Sequence, residues 1–542
     1  MTLNINRRSL ILSAGFGLGA LAFGNSAAIA QLIAARGFTH SVASGEPGPD
    51  SVLLWTRFVP ADGGATKVRV EVSETADFAK IISGGQMITG PWRDHTAKIT
   101  VDGLRPGVRY HYRFIGADGS LSPTGRTKTL PVGDVKKFNI AIFSCSNMGF
   151  GYFNAYAHVA GREDIDLVLH MGDYIYEYKR GGYDQRGNPR VLDIQPEHEI
   201  LNIADYRLRY ASYRADPDLQ AFHQNFPVIP NTDDHEGSND TWEGGAQNHQ
   251  EGEGDWNIRR AAAMQVWREW LPVGETPWKT YELGSLGSYF RTDSRMIARS
   301  KPWALDEILA GRDVEKTLVD FRDGPWGDPA ATMFGTEQES WLSHSLSASV
   351  RAKKKWQVVG SGTVLGKGFM PKEAESWINP SAPARNKAYT RNGISAAKAG
   401  LPFNLDNWGG YPAARSRLLT SAQATGGNMI VVSGDSHNGW AHDLIEGGKA
   451  AGVEFGGHSV TSPGYESAVG VDPKIVAKAL IDASPELRWC DTSNRGYMLL
   501  TLTPSAATNE WIFMETVAAR STAIKGSKKM KVRNGKNALE DL

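Results

Sequence analysis

The chain has 542 residues, with 59 lysines and arginines against 59 aspartates and glutamates, and 41% of its residues are hydrophobic. At about 150 residues per domain, this length predicts more than one domain and a sizeable core, and it excludes a single small module. Because the formal net charge is zero, we expect no specific nucleic-acid binding.

The first thirty residues have the pattern of a twin-arginine export signal. Arg7 and Arg8 precede an apolar, glycine-rich run at residues 10–24, and Ala28 and Ala30 form a small-residue cleavage site. A membrane anchor is the alternative, but a spanning helix needs about 20 apolar residues and this run is shorter. We therefore expect a signal peptide at 1–30, export by the twin-arginine translocase, a periplasmic or secreted mature protein and no stable membrane span.

The next region alternates between apolar and polar residues in short stretches. These stretches, at residues 51–56, 67–72, 97–101 and 110–114, are separated by turns that contain Gly, Pro and Asp. Such spacing is typical of a small β-sandwich, and the segment around the fourth stretch resembles a late strand of fibronectin-type domains. We expect an N-terminal fibronectin- or Ig-like β-sandwich domain at 37–131.

After a short linker, the pattern changes to continuous apolar runs that end in polar clusters. The runs lie at residues 138–143, 165–171, 226–230 and 428–433, and helical patterns lie between them at 204–213 and 338–350. Continuous runs are typical of central strands covered on both faces. In α/β sheets, ligands bind beyond the carboxyl ends of such strands. We expect an α/β catalytic domain at 135–519.

The last part of the chain is rich in basic residues. Lysines or arginines occur at 525, 528, 529, 531, 533 and 536. Runs of like charge are usually solvated. We expect a basic, weakly ordered C-terminal tail at 520–542.

Two of the polar clusters carry potential metal ligands close together. Asp173 follows the second run, and Tyr176 comes three residues later. A carboxylate can bridge two metal ions, and a phenolate is a strong ligand for trivalent iron. A helix-capping aspartate and a core tyrosine are the alternative interpretation.

The third and fourth runs end in acids and histidines. Asp233, Asp234 and His235 follow the third run, and Asp435 and His437 follow the fourth. Adjacent carboxylates repel one another unless they are solvated or bind a cation. The sequence therefore predicts a metal site here, with a solvated acidic loop as the alternative.

Cys145 follows the first run, in the position that corresponds to the other clusters. Cys490 lies far along the chain in a different setting, so we expect both thiols to be free. A thiolate at a strand end could bind a soft or trivalent metal, whereas a small buried hydrophobic residue is the alternative. Its position favours the metal ligand.

The chain resembles the PhoD-type alkaline phosphatases, a branch of the calcineurin-like metallophosphatase family. The resemblance is carried, in family order, by residues 38–47, 53–57, 169–178, 205–220, 233–236, 335–342, 408–412, 434–437 and 459–464. It implies a four-layer αββα metallophosphatase core, preceded by the β-sandwich, and a centre that contains Fe(3+) and Ca(2+).

The resemblance also implies roles for individual residues. The implied iron ligands are Cys145, Asp173, Tyr176 and His437, with Asp173 bridging to the calcium side, and the implied calcium ligands are Asp234 and Asp435. Asp233 and Asn239 are additional candidate ligands. His235 would stabilise the transition state or donate a proton to the leaving oxygen.

The implied reaction is hydrolysis of phosphate monoesters, with diesters also open, by attack of a metal-activated hydroxide on phosphorus. A phosphodiesterase or phospholipase D-like hydrolase of lipids or nucleic acids is an alternative. A non-catalytic envelope-binding protein is an alternative of a different class. The expected partners are a phosphate ester and, during export, the translocase.

Overall fold

The computed structural model describes residues 35–183, 187–310, 313–381 and 384–542. The predicted signal peptide at 1–30 therefore lies outside the described residues. Within the described ranges, no helix is both long enough and apolar enough to cross a bilayer.

The described strands form three sheets of ten, seven and four strands. Their bounds are β1 Gly37–Gly45, β2 Val52–Val59, β3 Thr66–Ser73, β4 Ser83–Thr89, β5 Thr96–Val101, β6 Arg109–Gly116, β7 Gly125–Lys128, β8 Phe138–Phe143, β9 Leu167–His170, β10 Pro227–Pro230, β11 Lys279–Leu283, β12 Gly287–Arg291, β13 Trp356–Ser361, β14 Met429–Ser433, β15 Gly439–Glu446, β16 Lys449–Gly456, β17 Leu487–Asp491, β18 Gly496–Leu502, β19 Ala506–Met514, β20 Ile524–Arg533 and β21 Leu539–Asp541.

The α-helices lie mainly between the strands of the two larger sheets. Their bounds are α1 Asn154–Ala160, α2 Ile203–Arg214, α3 Pro217–Asn225, α4 Trp256–Trp270, α5 Leu305–Leu309, α6 Val314–Arg322, α7 Gly335–Arg351, α8 Ala384–Lys398, α9 Pro412–Thr425 and α10 Pro473–Ala483. The helical patterns at 204–213 and 338–350 correspond to α2 and α7, so both predictions are confirmed.

The two larger sheets pack face to face. Ile140 and Ile142 of β8 lie in a buried cluster with Val358 of β13 and Ile430 of β14, which belong to the other sheet. Side chains alternate along a strand, so the intervening Ala141 faces outward, into a second cluster formed with α1 to α4. A third cluster packs α7 and α9 on the outer face of the seven-stranded sheet. The predicted αββα architecture is confirmed.

The N-terminal region is all-β, as predicted. Strands β3, β4, β6 and β7 form the four-stranded sheet, which packs against β1, β2 and β5 through a cluster that includes Val42, Leu54, Val70 and Tyr112. Strand β1 also pairs in parallel with β10, with Ser44 opposite Pro227. The N-terminal strands therefore extend the ten-stranded core sheet.

The expectation of a weakly ordered tail at 520–542 was wrong. Strand β20 pairs with β19 along its whole length and β21 pairs with β20. Met530 and Val532 alternate with the basic residues and are buried in the core between the sheets. Lys529, Lys531 and Arg533 lie on the opposite face of the strand, and Lys529 lies 3.4 Å from Glu510 on β19. The basic composition thus reflects the solvated face of a strand next to the edge of the sheet.

Candidate metal centre

The predicted ligands meet where parallel strands of both large sheets end. Cys145 follows β8, Asp173 follows β9, and Asp234 follows β10 in the ten-stranded sheet. Asp435 and His437 follow β14 in the seven-stranded sheet. The carboxyl ends of the strands therefore bring together residues that lie far apart in the sequence.

Four of these residues have an unusual backbone conformation. The φ angles are 58° at Cys145, 57° at Asp173, 68° at Asp435 and 62° at His437. Positive φ is uncommon for non-glycine residues and costs on the order of 1 kcal/mol or more at each position. Such strain persists where the surrounding structure enforces it, and it concentrates at functional sites.

Gly172 allows two of the ligand loops to touch. Its φ is 105°, and a Cβ atom there would lie 2.4 Å from the backbone nitrogen of Asp233. Any larger residue would force the loop after β9 away from the loop after β10. A glycine is therefore required between Met171 and Asp173.

Glu236 joins the same two loops through its carboxylate. It accepts hydrogen bonds from the backbone N–H groups of Asp173 at 3.1 Å, Tyr174 at 2.6 Å and Asp233 at 2.7 Å. A buried carboxylate with three such donors fixes the backbone that carries the candidate ligands. Our interpretation of the sequence gave Glu236 no role, although it directly follows His235.

The first ligand group contains a thiol, a carboxylate, a phenol and an imidazole. Ligand atoms of Cys145, Asp173 and His437 all lie within 4.8 Å of one another, and all three residues are buried. The Tyr176 hydroxyl donates to Asp173 Oδ2 at 3.0 Å and lies 3.2 Å from His437 Nε2. Both cysteines are free thiols, as predicted.

The orientation of the His437 ring suits metal binding. Its Nδ1 lies 2.8 Å from the carbonyl oxygen of Pro463, which can only accept a hydrogen bond. Nδ1 therefore carries the proton, and Nε2 keeps a lone pair on the side of Tyr176. Burial lowers the pKa of His437 to about 3, which favours the neutral ring that a metal requires.

Two further groups lie beside the first one. Asp173, Asp234 and His235 form one group, and Asp233, Asp234 and Asp435 form the other, again with ligand atoms within 4.8 Å. Asp173 belongs to the first and second groups, and Asp234 belongs to the second and third. This sharing is the arrangement that a bridging carboxylate between two adjacent cations requires.

The chemistry of the donor set fits an iron and a calcium ion. Burial, with a further contribution from Asp173, raises the pKa of Cys145 and Tyr176, and burial raises the pKa of Asp173 itself. Asp234 Oδ1 is buried without a hydrogen-bond partner. Buried anions are stable when a cation compensates them. Thiolate, phenolate and imidazole suit ferric iron, and the carboxylates suit calcium.

Arg295 supplies a protein cation at the acidic side of the site. Its buried guanidinium lies 2.7 Å from Asp233 Oδ1, 2.5 Å from Asp406 Oδ2 and 3.3 Å from Asp435 Oδ2. Of the two carboxylate oxygens of Asp233, Oδ2 has no hydrogen-bond partner. Asp233 therefore pairs with Arg295 through Oδ1, and its Oδ2 is left to bind a metal.

Our sequence interpretation missed Arg295 and Asp406. A usable signal was present, since Arg291, Arg295 and Arg299 follow one another at intervals of four where β12 ends. Arg299 also pairs with Asp406, at 2.6 Å. Arginines that follow a short buried strand require acidic partners, which the sequence does not identify.

Asn239, the other additional candidate ligand, points its side-chain amide toward Gln247. The amide donates to Gln247 Oε1 at 3.0 Å, and the Asn239 backbone N–H donates to Glu177 Oε1 at 2.9 Å. These contacts engage the nitrogen atoms of Asn239, so its role as an additional ligand through the amide oxygen stays a prediction.

His235 is held by a buried carboxylate. Its Nδ1 lies 2.6 Å from Glu177 Oε2, and its ring packs on Tyr176 at a centroid distance of 4.1 Å. Burial alone would lower the pKa of His235, but Asp234, Glu177 and Asp173 raise it well above its usual value. The surroundings of His235 therefore favour the protonated ring. Glu177 had no assigned role, although it directly follows Tyr176.

The chain is similar to known phosphatases over most of its length. The sequence model described as PhoD-like phosphatase matches residues 140–511, and the model of the PhoD-like phosphatase N-terminal domain matches residues 24–131. Alkaline phosphatase D of Bacillus subtilis (strain 168) is 32% identical over 512 residues, which cover 90% of this chain and 79% of that protein.

Solved structures show the same similarity. The structure of PhoD superposes with a TM-score of 0.76 at 28% identity, over 94% of this chain and 92% of that one. The purple acid phosphatase PPD1 from seeds of yellow lupin (Lupinus luteus) has a TM-score of 0.54 at 15% identity, over 91% of this chain and 74% of that one. The second match concerns the fold alone.

Proposed function

The chain belongs to the PhoD-like phosphatase family and is a hydrolase of phosphoric esters, and we propose that it hydrolyses phosphate monoesters at a centre of one ferric iron and calcium. The observation that carries the proposal is the sharing of Asp173 between two adjacent ligand groups. A carboxylate in this position can hold two cations close enough to bind one phosphate group.

In this proposal the chain holds its metals with the residues already described. Cys145, Asp173, Tyr176 and His437 would hold the iron. Asp234 and Asp435 would hold calcium, together with the shared Asp173. When bound, such a pair of cations would compensate the negative charge of the phosphate group and would lower the pKa of water in the site.

His235 and Arg295 provide the positive charge that belongs to the chain itself. The buried Glu177 carboxylate lies 2.6 Å from His235 Nδ1 and stabilises the protonated ring, so His235 would donate a proton to the departing oxygen. Arg295 lies within ion-pair distance of Asp233, Asp406 and Asp435, and among the described residues it forms no direct ion pair with Asp234. The buried Asp234 Oδ1, which has no hydrogen-bond partner, is therefore available for a cation.

The test compares a monoester with a diester that has the same leaving group. We expect p-nitrophenyl phosphate to be hydrolysed faster than bis(p-nitrophenyl) phosphate, and we expect Asp173→Ala to abolish both reactions. A faster diester reaction would favour the alternative phosphodiesterase. Full hydrolysis by Asp173→Ala would contradict the proposed site.

We further propose export by the twin-arginine pathway. The support is the pattern of Arg7, Arg8 and the small-residue site at 28–30 in the sequence. Replacing both arginines by lysine should retain the protein, with its signal peptide uncleaved, in the cytoplasm. Export of this variant at the wild-type level would contradict the proposal.

A further inference from the structure

An apolar cavity of about 260 Å³ lies next to the candidate metal centre. Its walls include Met370, Trp377, Phe403, Val476 and Leu480. These residues come from the loop after β13, from α10 and from the segments between them, and they belong to one buried hydrophobic cluster. The cavity therefore lies in the layer of helices and loops that covers the outer face of the seven-stranded sheet.

Three residues of the cavity wall adjoin the candidate ligands. The lining residue Ser436 lies between Asp435 and His437 in the sequence. The lining residue Pro463 accepts the hydrogen bond from His437 Nδ1. The lining residue Val364 follows Thr363, whose hydroxyl donates to Asp435 Oδ2 at 2.6 Å. The cavity thus borders the loops that carry the candidate ligands.

Several polar groups of the wall are already engaged by the protein. Ser436 Oγ accepts from Trp440 Nε1, and the Asn438 amide oxygen accepts from the Tyr465 backbone N–H at 3.1 Å. The His442 ring lies 2.9 Å from Glu454. Among the described residues that line the cavity, none is Asp, Glu, Lys or Arg. A charged group would therefore find no acidic, lysine or arginine partner among these residues.

From this arrangement we infer that the cavity binds the apolar arm of the phosphate ester, so that the substrate class is an aryl or alkyl phosphate. The inference rests on the proposed function, because it places the phosphate group at the metal centre. The volume lies just below the range of about 300–1,000 Å³ of pockets that enclose a whole ligand. The cavity therefore accommodates one part of the substrate, such as a single ring or a short chain.

The size of the effect follows from the burial of apolar surface. Full burial of a Phe-sized side chain contributes about 1.5–3 kcal/mol. Since about 1.4 kcal/mol corresponds to a tenfold change in affinity, a buried ring should strengthen binding at least about tenfold. The comparison needs two ligands with the same phosphorus group and different arms.

The first measurement is calorimetric binding to the protein with its metals, using benzylphosphonate and methylphosphonate. Neither ligand can be hydrolysed at its carbon–phosphorus bond, so the affinity is measured without turnover. We expect benzylphosphonate to bind at least about tenfold more tightly. Equal affinities would overturn the inference.

The second measurement locates the ring. Ala468 lines the cavity and is only partly buried, with φ −106°, so Ala468→Phe should fill the space without backbone strain. Ser467→Phe at the exposed neighbour, which does not line the cavity, is the matched control. We expect Ala468→Phe to remove most of the preference for the benzyl arm, and Ser467→Phe to retain it. A preference unchanged in Ala468→Phe would place the ring elsewhere and overturn the inference.

Hydrolysis separates this inference from the proposed function. Benzyl phosphate and glycerol phosphate both release an alcohol, so their kcat/KM ratio should show the same preference as the phosphonates. Preferential binding of benzylphosphonate without hydrolysis of either ester would contradict the proposed function and support the cavity. Hydrolysis of both esters with equal kcat/KM would support the function and overturn the cavity's role.

Discussion

The Glu177 carboxylate lies 2.6 Å from Nδ1 of His235, and both side chains are buried. Glu177 also accepts from the Asn248 amide at 2.9 Å, so its position is fixed from two sides. His235 holds the Glu177 pKa below its usual value although burial acts in the opposite direction. A charged acceptor therefore orients the ring and keeps the proton on Nδ1.

We predict that Glu177→Gln lowers kcat by about 10- to 100-fold, the usual effect of removing a carboxylate that supports a site histidine. The metal content should remain, because Glu177 is outside the ligand groups. Steady-state kinetics together with metal analysis test this. The matched control is Glu197→Gln at an exposed residue paired with Arg180, which should keep wild-type kcat. Wild-type kcat in Glu177→Gln would contradict the role of the pair.

If Tyr176 and Cys145 bind the iron as proposed, the protein should be coloured. Phenolate or thiolate bound to ferric iron absorbs visible light, so the protein with its metals should have a visible band. Tyr176→Phe and Cys145→Ser should each shift or weaken this band. Tyr183→Phe, at a neighbouring ring 6.2 Å from Tyr176, should leave it unchanged. A colourless iron-containing protein would contradict both assignments.

Because Arg295 and Asp233 form an ion pair, we predict that substitutions of the two residues change the free energy of unfolding non-additively. Both side chains are completely buried, so removing one partner should destabilise the protein by about 3–5 kcal/mol. We expect this loss in Arg295→Met and in Asp233→Asn. The double variant should lose clearly less than the sum of the two. Urea unfolding of the four proteins measures the cycle, and strictly additive losses would show that the pair makes no coupled contribution.

We predict that acid weakens the contact that Glu46 makes between the N-terminal strands and the seven-stranded sheet. Burial would raise the Glu46 pKa, but Arg291 at 2.6 Å and Lys279 at 2.7 Å lower it from 4.5 to about 2. Because the folded pKa is the lower one, the stabilisation is complete above pH 4.5 and is lost as the pH falls toward 2. The shift corresponds to about 3 kcal/mol.

Glu46→Gln should therefore be destabilised by about 3 kcal/mol at pH 7, and its unfolding free energy should fall less than that of the wild type between pH 5 and pH 3. Urea unfolding at each pH measures both effects. Glu163→Gln, at an exposed ion-paired residue, is the control and should follow the wild-type pH dependence. An acid-induced loss in Glu46→Gln equal to that of the wild type would exclude Glu46 as its source.

The sequence alone predicted the part of the site that follows long apolar runs. Strands β8, β9, β10 and β14 are buried on both faces, so their ends stand out as abrupt changes to polar residues. The fold could be predicted for the same reason, together with the resemblance to the metallophosphatases.

The pairings of the supporting residues could not be predicted because the two partners of each pair are distant in the sequence. Glu177 lies 58 residues before His235, and Arg295 lies 111 residues before Asp406. Each is an ordinary charged residue until the fold brings its partner to it. Strand β20 was missed for a related reason, since the charges of its solvated face concealed the buried Met530 and Val532.

The most direct test of the account is the metal content of the mature protein purified without chelator, measured beside Asp173→Ala. We predict iron and calcium together in the wild-type protein, and loss of both metals in the variant, because Asp173 belongs to two of the three ligand groups. Zinc alone in the wild type, or unchanged iron and calcium in Asp173→Ala, would contradict the proposed centre.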